Sequence, residues 1–146
     1  MTDLSERGSL AGFDQLIKAI ERVALENGTG AQSKHTDARG LLGQAEALYQ
    51  SRRKRDRIFG DHAKYFGEPS WDMLLAIFVD QARDREVDVT SAAVGAHAPT
   101  TTGIRCLRGL QDAGLVRRSE DPSDKRRSLV ELTTEGVTLI VRFLMS

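Results

Sequence analysis

TTTGIRCLRGLQDAGLVRRSEDPSDKRRSLVELTTEGV, residues 100–137, holds the rhythm that decides the fold. Ile104, Leu107 and Leu110 recur at helical spacing behind the threonines at 100–102. Gly114 stands where a left-handed residue would close that helix. Leu115-Val116-Arg117-Arg118 and Leu129-Val130-Glu131-Leu132 are β-prone and flank the polar turn Asp121-Pro122-Ser123-Asp124. Two short strands around such a turn read as a hairpin. Thr133 then opens a last helix, with Val137, Ile140, Val141 and Leu144 on one face. On the first of these helices Thr101, Arg105 and Arg108 fall at i, i+4 and i+7, a polar face beside the apolar one.

Working back from this stretch, Thr90 and Ser91 can cap a short helix over Ala92, Ala93, Val94 and Ala96, which Pro99 breaks. Val87 and Val89 suit a short strand or an extended crossing. Pro69 sits at a first-turn position ahead of Trp71, Leu74, Leu75, Phe78 and Ala82, an amphipathic helix that anchors the core. Residues 9–26 read as another helix, carrying Leu10, Phe13, Leu16, Ile17, Ile20, Val23 and Ala24, and Asn27-Gly28-Thr29-Gly30 stops it. The polar stretch on to Gly40 reads as a linker or mobile loop. A helix at about 41–58 follows, striped by Leu41, Leu42, Ala45, Leu48 and Tyr49. Anchor helix, short helix, turn, second helix and charged hairpin, in that order, make a winged helix-turn-helix. The expected fold is therefore mainly α with a small β wing. Residues 1–59 form an N-terminal helical extension, expected to dimerise, and residues 60–146 the winged helix-turn-helix domain.

In a helix-turn-helix the second helix lies in the major groove and the first braces it across the backbone. Arginine presents a two-pronged donor to guanine, and threonine meets a phosphate or a thymine methyl. The amides at the helix N-terminus favour a phosphate. Thr100, Thr101, Arg105 and Arg108 are accordingly candidate contacts to duplex DNA. The plainer reading, in which both arginines solvate an exposed face or pair with Asp112, stands beside it. Lys125, Arg126 and Arg127 follow the hairpin turn, where a minor groove or flanking phosphates would accept them. Here too the alternative is neutralisation by Asp121 and Asp124, with Asp124 holding Arg126 in a fixed pose and so stabilising the wing.

Three pieces, Gly114-Leu115-Val116-x-Arg118, Asp124-x-Arg126 and Leu132-Thr133-x-x-Gly136, resemble the signature of MarR-type (multiple-antibiotic-resistance regulator) winged-helix proteins. The resemblance covers roughly residues 65–146. It implies a homodimeric bacterial transcription factor, often a repressor, on a pseudo-palindromic operator. It also implies that residues 91–97 brace, 100–113 recognise and 117–130 form the wing, with Asp124 and Arg126 as a pair. Members of that family continue into a long C-terminal helix at the dimer interface. Here Ser146 comes soon after the last helix begins, so dimerisation is expected to rest on residues 9–59. A small-molecule effector, common in the family, is not indicated by any residue pattern.

The totals fit this picture and exclude others. The 146 residues are 40% hydrophobic and 29% charged, an ordinary globular composition. No apolar run is long enough to span a membrane, and the first residues lack the pattern of a secretory signal. The 21 basic and 21 acidic side chains cancel, which weakens long-range attraction to phosphate. Their distribution is uneven. Arg52-Arg53-Lys54-Arg55-Asp56-Arg57 is a basic run that either meets a DNA backbone or forms a solvated helix end. The single cysteine, Cys106, rules out an internal disulfide and suits a reducing cytoplasm. It reads as a small half-buried residue or as an oxidant-sensing thiol flanked by cations. His35, His62 and His97 share no ligand-like spacing, so neither a metal nor another cofactor is expected. No nucleophile-and-base arrangement or phosphate loop supports an enzyme. The competing function is a protein-interaction module on a winged-helix scaffold, without specific DNA binding.

Overall fold

The structure is a computed structural model that describes residues 4–26, 34–60, 62 and 68–146. The side chains of Leu10, His35 and Arg55, and the helix stop expected at Asn27-Gly28-Thr29-Gly30, lie outside the described residues. In chain order the elements are α1 (Leu4–Glu26), α2 (Lys34–Phe59), α3 (Pro69–Ala82), β1 (Val87–Asp88), α4 (Val89–Gly95), α5 (Thr100–Asp112), β2 (Val116–Asp121), β3 (Asp124–Leu132) and α6 (Thr134–Met145). The strands form one antiparallel sheet in the order β1-β3-β2. Val87 pairs with Val130, and Val116 with Leu132.

Two local expectations change. The stretch ending at Gly40 was expected to be a linker, but from Lys34 onward it is the start of α2. Ala38, Leu41 and Ala45 explain this, since they bury one stripe at i, i+3 and i+7. Gly40 faces open space, so it costs the helix only about 1 kcal/mol of propensity. The cap of α4 also moves upstream of Thr90 and Ser91. Asp88 ends β1 in an extended conformation and its carboxylate accepts the Ser91 amide at 2.8 Å. A carboxylate there gains from the helix dipole as well as from the hydrogen bond.

At the centre lies α3. Its buried residues Met73, Leu75, Ile77, Phe78, Val79 and Ala82 lie around most of its circumference, while Trp71 and Leu74 are only partly buried. The expected one-sided stripe is thus replaced by a nearly enclosed helix, because α1 and α2 cover one side and α4 and α5 another. The core continues without a break from Leu16, Ile20 and Val23 of α1 to Leu107 of α5, Leu132 of β3 and Val141 of α6. Along the α1–α6 seam Arg142 pairs with Glu26 at 2.9 Å, and Arg22 donates to Thr138 at 2.9 Å.

Candidate nucleic-acid interface

The helix pair is set by small residues. Ala92, Ala93 and Ala96 bury the inner side of α4. A Cβ on Gly103 would lie 3.0 Å from that of Ala93, so only glycine lets α5 pack this closely. Pro99 precedes α5 and offers no capping side chain to its first turn. Gly114 ends the helix at φ +79°, as its position in the sequence implied. Its amide donates to Gln111 O at 3.0 Å, and the Leu115 amide donates to Leu110 O at 3.0 Å.

With Leu107 and Leu110 buried, the outer face of α5 is fixed by helical geometry. Thr100, Thr101, Arg105 and Arg108 are all exposed on it, whereas Ile104 and Cys106 are half-buried. Neither arginine forms an ion pair among the described residues, with Asp112 or any other acid. On the wing, Lys125 is exposed and the Arg126 side chain is 93% exposed. Asp124 accepts the Arg126 amide at 3.0 Å and lies 3.5 Å from its Nε, so it shapes the turn and touches the guanidinium only loosely.

Arg127 is placed differently from its neighbour. Its Nε donates to Asp88 at 3.0 Å, and its Nη1 donates to Asp121 at 2.9 Å and to Glu86 at 3.2 Å. Asp121 also accepts the amide and the hydroxyl of Ser123, at 2.9 and 2.7 Å. These bonds to Ser123, and then the Arg127 guanidinium, hold its carboxyl down at about 2. Asp88 is lowered too, first by the Ser91 amide and then by Arg127. Arg118 was not singled out as a contact, yet it is exposed and lacks an ion pair among the described residues. Strand alternation is the signal that separates it from Arg117, which is taken up by Glu131 at 2.5 Å on the other side of the strand.

The basic run on α2 fits neither of its readings at Arg52 and Arg53. Both side chains turn inward onto Asp72, and Arg53 is only 4% exposed. Its guanidinium lies 4.9 Å from the centre of the Tyr49 ring. Tyr49 in turn donates to Gly95 O at 3.1 Å, where α4 ends. Lys54 and Arg57 remain exposed.

Residues 97–136 match the family model of the winged helix DNA-binding domain. The chain has the winged helix fold over these residues. Over 73 residues it is 37% identical to the transcriptional regulator HosA of Escherichia coli O111:H-, and that match spans 50% of this chain and 51% of HosA. The chain thus aligns with about half the length of this curated relative. Among solved structures, MepR of S. aureus in its DNA-binding conformation is similar at 21% identity and a TM-score of 0.49, covering 68% of each chain. MarR is similar at 25% identity and a TM-score of 0.45, covering 68% of this chain and 72% of MarR. The matched residues take in α5, the wing and the start of α6, where the MarR-like motifs also lie.

Proposed function

We propose that this chain is a sequence-specific, DNA-binding transcriptional regulator, a repressor that binds a pseudo-palindromic duplex site as a homodimer. One observation carries the reading: α5 and the wing together present exposed cations that no acid among the described residues neutralises. Arg83, Arg117 and Arg142 are bound to Glu46, Glu131 and Glu26, and Arg52 and Arg53 to Asp72. Arg105, Arg108, Arg118 and Lys125, on α5 and the wing, are exposed without such partners among the described residues, as are Arg39, Lys54 and Arg57 on α2. A net charge of zero is therefore compatible with a local positive surface where α5 and the wing would meet a duplex. Thr100 and Thr101 supply phosphate or methyl contacts at the start of α5, and Arg105 and Arg108 read bases.

Two copies suit the reading because Leu25 and Ile58, on the first two helices, leave apolar surface outside the core at 79% and 71% exposure. The function requires no catalytic step and no cofactor, and its target places its work in the cytoplasm. Among the described residues no helix is long and apolar enough to cross a membrane.

Selection of bound sequences from a random duplex library tests DNA binding, site symmetry and half-site spacing together. The recovered site should have two-fold symmetry with half-sites about 10 base pairs apart. Its affinity should fall with salt, with a log–log slope of about −0.9 per phosphate neutralised. Arg105→Ala or Arg108→Ala should cost about 1–3 kcal/mol and relax preference at one base position. A chain that retains no duplex even at low salt is not this regulator. Sedimentation should show a dimer, and Ile58→Glu a monomer.

A further inference from the structure

The wing is tied to the helix pair through one guanidinium. Arg127 bonds to Asp88, Asp121 and Glu86, and two of these carboxylates already have other tasks. Asp88 caps α4 through the Ser91 amide. Asp121, 5% exposed, folds the wing-tip turn around Ser123. A single side chain on β3 therefore spans the start of α4 and the tip of the hairpin. The backbone link between the same parts is short, since β1 contributes only Val87 and Asp88 to the ladder with β3.

The environments of Arg126 and Arg127 point in opposite directions. The Arg126 side chain is 93% exposed, that of Arg127 35%. Three carboxylates around one guanidinium leave the local charge negative, which repels a phosphate. Recruiting Arg127 to DNA would also break charge-assisted bonds that are stronger than neutral ones.

We infer that Arg127 is a positioning residue, which fixes the direction in which the wing presents Lys125 and Arg126 relative to α4 and α5, and is not itself a phosphate contact. The inference rests on the DNA-binding reading above and assigns one residue a role within it.

A double-mutant cycle on a duplex recovered by selection tests it, with thermal unfolding of each variant as a control. Arg126→Ala should weaken wild-type binding by about tenfold, and by less than about twofold when Arg127 is already alanine. Equal losses in both backgrounds would make Arg127 an independent contact and overturn the inference. Arg127→Lys keeps the charge but not the fork that bridges the carboxylates, so it should behave as Arg127→Ala does. Wild-type affinity in the lysine variant also overturns it. Asp121→Asn gives a reading of opposite sign and leaves Arg127 in place. Removing an acid near DNA strengthens binding if only charge matters, whereas loss of wing position weakens it. Tighter binding by Asp121→Asn overturns the inference, even if Arg127→Ala fails to fold. A wild-type chain that binds no duplex at low salt instead removes the DNA-binding reading itself.

Discussion

Asp72 is 3% exposed and accepts from Arg52 and Arg53 together, and Glu68 and Asp56 supply further acid to the two guanidinium groups. Three nitrogens of this pair, Arg52 Nη2, Arg53 Nε and Arg53 Nη1, are buried with no acceptor. The cluster is thus already under-satisfied, and losing its central carboxylate would leave the buried Arg53 with Asp56, at 3.1 Å, as its one remaining acid among the described residues. Asp72→Ala should cost about 3–5 kcal/mol in urea unfolding, because it uncovers a buried charge. A loss below about 1 kcal/mol would show the cluster to be far more hydrated than its burial implies. Titration at the wing belongs to this scale as well. Asp121 has its carboxyl at about 2 in the fold against an ordinary 3.8, and Asp88 is lowered in the same direction. Their contribution to stability is complete above about pH 4 and is lost as pH falls through 3.8 towards 2. Carboxyl carbon shifts followed by NMR should give Asp121 a midpoint well below that of an exposed aspartate. An ordinary midpoint would mean that the Ser123 and Arg127 bonds do not persist in solution.

Elements are joined here by a few backbone devices, and most were readable from the sequence. Gly114 was expected to close α5 in the left-handed region and does so at φ +79°. A Cβ there would meet only Glu135 Oε2, at 3.7 Å, so the obstacle to a side chain is conformational rather than steric. Gly114→Ala should therefore cost about 1–2 kcal/mol, the penalty of a left-handed alanine. Gly114→Asn should cost less when the two are compared by denaturant midpoint. Thr133 does more than the sequence revealed. Its hydroxyl accepts the Gly136 amide at 3.0 Å as the cap of α6 and donates to Gly114 O at 2.6 Å. Start of α6 and end of α5 are thus bound at one side chain. Thr133→Ala should lose about 1–2 kcal/mol and Thr133→Ser very little, since serine keeps both bonds. Equal losses for the two variants would assign the effect to the methyl group. The cap of α4 was misplaced from sequence because Thr90, Ser91 and Asp88 are all competent capping types. The ladder to β3 decides among them by keeping Asp88 extended.

For the molecule as a whole, the N-terminal helices share the core of the winged helix part. Leu16, Ile20 and Val23 of α1 are at most 2% exposed and belong to the same cluster as Phe78 and Val141. Leu16→Ala should cost about 2–5 kcal/mol. Calorimetry should show one transition moving as a unit, because helices that share a core unfold together. An early separate transition of α1, with the winged helix signal intact, would show that the two parts are independently stable.

Sequence alone determined the order of elements from α3 onward, the hairpin and its turn, the end of α5 and the start of α6. These depend on periodicity and on backbone preferences that act within a few residues. It also identified Thr101, Arg105 and Arg108 as one face of α5, because helical spacing is local geometry. Tertiary structure alone decided which arginines are free. Arg53 meets an acid 19 positions away, Arg127 one 39 away and Arg142 one 116 away. No local pattern encodes such distances. Arg126 and Arg127 are neighbours in sequence, yet successive residues of a strand face opposite sides, and only the fold brings Asp88, Asp121 and Glu86 to one of them. The winged helix with which residues 100–137 began was therefore a local message, and the map of its available charge a long-range one.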